Sequence, residues 1–218
     1  STSNGADYRS RYAVLVDGKV IVDDTMGEKS KKIELFSGST TRTATVKVIH
    51  LSEANNGAIG VKNVTVDTDS QMPIAPTADK KYRFEFIGDS ITCAYGVEGK
   101  DQYENFKTTT ENFMKSYAYL VAEKLDADYS AVSYSGHGII SGYTSDGKKN
   151  VDSLVPPYYE YVAKSDEYKK EWDFTKKPND IVVINLGTND SSYCGQDEEK
   201  MNEYRTEYAK FLETVRKC

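Results

Sequence analysis

Phe84-Glu85-Phe86-Ile87-Gly88-Asp89-Ser90-Ile91-Thr92 opens with the alternation of a β-strand, Tyr82, Phe84 and Phe86 interleaved with Arg83 and Glu85. That period-2 pattern predicts a half-buried strand that breaks at Gly88. A serine follows at once. A hydroxyl set where a strand ends is carried on rigid backbone yet reaches open space, as a nucleophile must. Gly-Asp-Ser also occurs in ordinary polar turns, so the rest of the chain has to decide between the two.

Downstream of residue 80 the pattern alternates β and α. Glu111 to Leu125 carries Phe113, Tyr117, Leu120, Val121 and Leu125 at helical spacing. Tyr129 to Tyr134 reads as a short strand ending in Ser135-Gly136-His137-Gly138. After a long irregular region with Pro156-Pro157, the β-branched run Ile181 to Leu186 reads as a buried parallel strand ending in Gly187-Thr188-Asn189-Asp190. Met201, Tyr204, Tyr208, Phe211, Leu212 and Val215 mark one face of a closing helix, with Arg216 and Lys217 suited to its C-terminal dipole. Alternation of this kind predicts a parallel sheet with right-handed crossovers.

Residues 1 to about 70 read instead as short strands. Tyr12–Val16 and Val20–Val22 flank the hairpin signal Asp17-Gly18, and further strands are predicted at Ile33–Leu35, around Ala44, Val46 and Val48, and at Val61–Val66. His50 continues the phase of Val46 and Val48 and is read as structural. Met72-Pro73-Ile74-Ala75-Pro76 biases the backbone to extended geometry. The division predicted is a sandwich or jelly-roll-like piece at 1–72, a linker at 73–80 and an α/β unit at 81–218.

The 218 residues are 38% hydrophobic and 28% charged, with a formal net charge of −6. With no basic stripe to neutralise phosphates, nucleic acid is excluded as a partner, and an anionic membrane surface equally. No apolar run approaches the ~20 residues of a membrane span, and the start Ser-Thr-Ser-Asn-Gly is not a signal peptide. Cys93, Cys194 and Cys218 form no disulfide framework or zinc spacing, so no metal and no cofactor is expected; Cys93 and Cys194, on loops predicted to share a rim, are read as a bridge or as free thiols. Seventeen tyrosines give a weak signal for polar ligands such as sugars.

Ligands of open parallel sheets bind outside the carboxyl ends of the strands. Three predicted strand ends carry Ser90, Gly136 and Asn189. Ser90 can act as nucleophile, the backbone N–H groups of Ser90 and Gly136 can donate to an oxyanion, and the Asn189 amide can supply a third donor.

Gly88-Asp89-Ser90, Gly136 and Gly187-Thr188-Asn189-Asp190, in that order, resemble the first three blocks of the SGNH (GDSL-type) hydrolases. With a β-rich segment ahead of them, the chain is most similar to carbohydrate esterase family 2. The resemblance implies an SGNH/flavodoxin-like three-layer fold, incomplete here, preceded by a jelly-roll-like segment. It implies a secreted or cell-surface serine esterase of the acetylxylan esterase kind, removing O-acetyl groups from plant cell-wall polysaccharides or oligosaccharides. Ser90 would be nucleophile, and Ser90, Gly136 and Asn189 the oxyanion hole. A fragment that only binds carbohydrate and a general GDSL esterase or lipase are the alternatives. The family's fourth block, which carries the general-base histidine, has no counterpart here; of His50 and His137, only His137 falls near a strand end. The expectation is that a further C-terminal segment or a second chain supplies the base.

Overall fold

The computed structural model describes residues 5–67, 74–164 and 170–218; Pro73, where the expected linker begins, lies outside them. We number the strands β1 (Arg11–Val16), β2 (Lys19–Thr25), β3 (Val46–His50), β4 (Arg83–Gly88), β5 (Asp128–Ser133) and β6 (Ile181–Asn185), and the helices α1 (Ser90–Cys93), α2 (Tyr117–Lys124), α3 (Thr188–Cys194) and α4 (Glu198–Lys217).

The strand read first, β4, is the middle of a parallel sheet of order β5-β4-β6. Phe86 stands opposite Ala131 on one side and Val183 on the other. The predicted half-buried alternation is corrected: Phe84 through Gly88 are all buried, because both faces of the sheet are covered. One face packs Phe84 and Phe86 against Phe113 and the small residues Ala118 and Ala122 of α2. The other packs Ile87 against Ile139, Val155, Tyr159 and Phe211 of α4. Glu85 is 2% exposed and survives inside because the Tyr159 hydroxyl donates to its carboxylate at 2.7 Å. The chain leaves β5 on one side of β4 and returns as β6 on the other, so the order reverses beside the carboxyl end of β4. Open parallel sheets bind their ligands at such a reversal.

In the β-rich segment, β1 and β2 form the predicted antiparallel hairpin, with Val16 opposite Lys19. Asp17 and Gly18 turn it with φ of 49° and 76°, the two left-handed residues a tight type I′ turn requires. β3 adds to the other edge of β1. The strands expected at Ile33–Leu35 and Val61–Val66 do not form. Val61, Val64 and Val66 are 48–61% exposed and have no ladder partner, and alternation alone cannot hold a strand without a neighbour. The apolar phase of β3 is likewise the reverse of that expected: Val46 and Val48 face out, and Ile49 enters the core. That core is continuous with the α/β unit, since Ala13, Leu15, Ile49 and Leu51 pack in one cluster with Phe84, Phe86 and Phe113. Polar ties reinforce it. Phe113 N–H donates to the Leu51 carbonyl at 3.0 Å. The Arg11 guanidinium donates to Asp23, Glu98 and the Glu111 carbonyl.

The helix expected over 111–125 is only eight residues long. Two 3-10 turns precede it, and the side chains of Asn112 and Ser116 accept hydrogen bonds from Met114 N–H and Ala118 N–H. Asn and Ser favour such cap positions over a helix interior. Its buried face is Ala118, Tyr119 and Ala122, whereas Leu120 and Leu125, read as core, are each 54% exposed. The closing helix forms, capped by Asp197, with Met201, Tyr204, Tyr208, Phe211 and Val215 against the sheet, whereas Leu212, read on the same face, is exposed. No helix of the described residues is long and apolar enough to cross a membrane.

Candidate active site

The turn after β4 is built by three consecutive residues. Gly88 has no room for a side chain: a Cβ there would lie 1.9 Å from Thr92 Oγ1, so glycine lets α1 fold tightly back onto the strand. Asp89, 1% exposed, caps α1 by accepting from Ile91 N–H at 3.0 Å. Burial pushes its carboxyl above the usual carboxylate range. Ser90, half-buried, begins the helix, and its hydroxyl has no hydrogen-bond partner among the described residues.

At the end of β5 the chain turns through Gly136, whose φ of +76° is left-handed and whose Cα faces open space where a Cβ would stand. The N–H groups of Ser90 and Gly136 donate to nothing among the described residues. Ser135 N–H, just before Gly136, donates at 2.7 Å to the carboxylate of Glu53, a residue of the β-rich segment. His137 is 3% exposed, and both its ring nitrogens are engaged: Nδ1 lies 2.9 Å from the Ser135 carbonyl and Nε2 2.7 Å from Lys164 Nζ. The first contact requires the proton on Nδ1, which leaves Nε2 to accept from the lysine. Burial lowers its pKa. It is therefore a structural histidine. So is His50, lowered to about 4 by burial, with Ser52 Oγ at 3.3 Å from Nε2.

β6 brings in the third end. Gly187, with φ of +125°, admits the Tyr204 hydroxyl against its backbone before α3 begins. Asn189 Nδ2 donates to the His137 carbonyl at 2.8 Å and to Asp89 Oδ2 at 3.3 Å. One carboxamide thus joins the ends of β4, β5 and β6. Asp190, next in sequence and 1% exposed, accepts from the N–H groups of Ile139, Ile140 and Ser141 at 2.7–3.1 Å. It fastens the loop that follows Gly136. Gly138 belongs to the same joint, since a Cβ there would lie 2.6 Å from Asp190 Oδ2.

Asp190, Glu53 and Lys164 were not among the residues singled out from sequence. Asp190 was visible as the last residue of the Gly-Thr-Asn-Asp block, and an acidic residue beside a loop of free N–H groups was the available signal. Glu53 and Lys164 lie 82 and 27 residues from their partners Ser135 and His137, and nothing local announces them. Beneath Ser90, Glu53 also adjoins Cys93 and Glu111. Burial, with the charge of Glu53, pushes Glu111 up to about 8. Cys93 and Cys194 are both buried free thiols, so no bridge joins them.

Residues 86–218 match the GDSL-like Lipase/Acylhydrolase family model. The chain is 31% identical over 206 residues to the cellulase/esterase CelE of Acetivibrio thermocellus, covering 94% of this chain and 24% of that protein. It is 27% identical over 214 residues to an acetylxylan esterase / glucomannan deacetylase of Cellvibrio japonicus, covering 98% and 56%. The solved structure of a family two carbohydrate esterase from Clostridium thermocellum, in complex with cellohexaose, superposes with a TM-score of 0.77 at 29% identity, covering 96% of this chain and 61% of the other. The chain thus spans less than two thirds of each of these relatives. With the family pattern running through β4, the Gly136 turn and the Asn189 junction, the chain belongs to the GDSL-like lipase/acylhydrolase family.

Proposed function

We propose that this chain carries the nucleophile and oxyanion hole of a serine esterase that removes O-acetyl groups from plant cell-wall polysaccharides or their oligosaccharides. The supporting observation is the Asn189 carboxamide that ties Asp89 to the His137 carbonyl, bringing the ends of all three strands together. Ser90 Oγ attacks the acetyl carbonyl to give an acetyl-enzyme, the sugar hydroxyl leaves, and water releases acetate. The oxyanion is held by the N–H groups of Ser90 and Gly136 and by Asn189. The contact of Asn189 with Asp89 is long at 3.3 Å, so that N–H is the one for which a developing charge can compete.

Both histidines of the 218 residues are committed elsewhere, so the general base comes from a residue outside them, on the same polypeptide or on a second chain. Without it the serine keeps only the catalysis that binding and the oxyanion hole provide. The acetylxylan esterases among the relatives support the substrate class, and in their company we assign the protein outside the cell or at its surface. The segment at 1–72 is proposed as part of a jelly-roll-like unit, joined by residues 73–80 to an esterase unit at 81–218.

The test is acetate release from an acetylated xylo-oligosaccharide by the full-length polypeptide, beside its Ser90→Ala variant. A loss of at least 1000-fold in the variant is the expected result. Equal rates would remove Ser90 from the chemistry. Binding of the oligosaccharide with no turnover in either would favour a carbohydrate-binding role.

A further inference from the structure

Under the Ser90 turn the fold gathers three side chains far apart in sequence: Glu53 after β3, Cys93 at the end of α1 and Glu111 between two 3-10 turns. They are 7%, 3% and 0% exposed, and one donor atom of each lies within 4.8 Å of the other two. Their hydrogen bonding is incomplete. Glu53 Oε2 accepts from Ser135 N–H and Asn55 Nδ2, and Glu111 Oε2 accepts from Glu53 N–H at 3.1 Å. Glu111 Oε1, fully buried beside Cys93, has no partner among the described residues. No lysine or arginine among those residues forms an ion pair with either carboxylate. Two adjacent carboxyl groups, a thiol and an oxygen without a partner thus line one dry spot, where a bound cation would displace their protons and take up the unused donor atoms.

We propose that Glu53, Cys93 and Glu111 bind one Zn²⁺ ion. A thiolate with two carboxylate oxygens is a borderline-soft donor set that suits zinc better than Mg²⁺ or Ca²⁺, which take oxygen alone. Zinc bond lengths place donors of a tetrahedral site about 3.4–3.6 Å apart, so side chains within 4.8 Å of one another need close by only about an ångström. Ser135 Oγ, 3.4 Å from Cys93 Sγ, borders the fourth position. The ion would be structural. Cys93 Sγ lies 3.6 Å from the Ser90 carbonyl, and Glu53 holds Ser135 N–H next to Gly136, so a bond to both fastens the two turns together from below. The site does not depend on the esterase reading.

The test uses the 218-residue chain stripped with a chelator, with Zn²⁺ and Co²⁺ as probes. Native mass spectrometry should find one Zn²⁺ per chain, and excess Zn²⁺ should raise the melting temperature by roughly 5–10 °C. Co²⁺ should give a thiolate charge-transfer band near the ultraviolet. Cys93→Ser and Glu111→Gln should each abolish the band, while Cys218→Ser, at the exposed cysteine, should keep it. No bound zinc and no band in the wild-type chain would overturn the proposal, whether or not the variants fold. So would a band lost in Cys218→Ser and kept in Cys93→Ser, or an equal thermal shift with Mg²⁺. A Glu111→Gln chain more stable than wild type, with no zinc bound by either, would mean that the carboxyl pair holds a proton instead.

Discussion

Replacing Asp190 by Asn tests whether the loop after Gly136 is held by charge. The carboxylate accepts from Ile140 N–H at 2.7 Å, Ser141 N–H at 3.1 Å and Ile139 N–H at 3.0 Å, all in a buried setting. A hydrogen bond to a charged acceptor contributes about 1.5–3 kcal/mol, and three on one carboxylate are not additive. Asn keeps the volume and one carbonyl oxygen, but turns an NH₂ group towards backbone donors. We expect a loss of about 3 kcal/mol, a fall in melting temperature of roughly 6–12 °C for a chain of this size. Calorimetry at neutral pH measures it, and amide hydrogen exchange localises it: protection of residues 139–141 should fall more than that of β4. A melting temperature within about 2 °C of wild type, with exchange at 139–141 unchanged, would refute the reasoning and leave Asp190 as a space-filling residue.

Two glycines of that joint should separate strain from steric exclusion. Gly136→Ala meets open space and a φ of +76°, so it should cost about 1–2 kcal/mol. Gly138→Ala would set a Cβ 2.1 Å from the Ser141 carbonyl oxygen and should cost more, about 3 kcal/mol or above, read as the larger shift in urea midpoint. Burial pushes the Glu98 carboxyl up, but hydrogen bonds from Lys115, Arg11 and Asn112 outweigh it and hold the pKa at about 2, below its ordinary 4.5. A depressed carboxylate stabilises the fold above its unfolded pKa, and that contribution fades as pH falls from about 4.5 towards 2. Glu98→Gln should therefore be about 2–3 kcal/mol less stable at pH 7 and converge on wild type near pH 2, in urea melts across that range. In the full-length polypeptide, Asn189→Ala should lower kcat by 100- to 1000-fold through loss of an oxyanion donor, measured as acetate release; a change below tenfold would take Asn189 out of the oxyanion hole.

The parts of this molecule legible in its sequence are those whose cause is local. A strand followed by Gly-Asp-Ser, a β-branched run followed by Gly-Thr-Asn-Asp and a helix with a 3.6-residue apolar face each carry their own signal. Together they located β4, β6 and α4, and set Ser90, Gly136 and Asn189 at the ends of neighbouring strands; the contacts of Asn189 with Asp89 and the His137 carbonyl came only with the structure. The misreadings come where a distant partner decides. Ile33–Leu35 and Val61–Val66 have strand-like composition, but a strand exists only where a neighbour pairs with it, and pairing is not written in six residues. In α2, the alanines at 118 and 122 win the core because the aromatic rings of Phe86 and Phe113 leave room there for small residues only, which turns Leu120 and Leu125 to the surface. The same logic hid Glu53. A carboxylate three residues past β3 looks like a solvated surface charge until the fold sets it against Ser135 N–H, so a residue of the β-rich segment holds the backbone next to Gly136 in place. A chain expressed from residue 81 onward would lose that carboxylate and the apolar cover of Ala13, Leu15, Ile49 and Leu51 together. The Gly136 turn and the hydrophobic core therefore stand or fall with the β-rich segment.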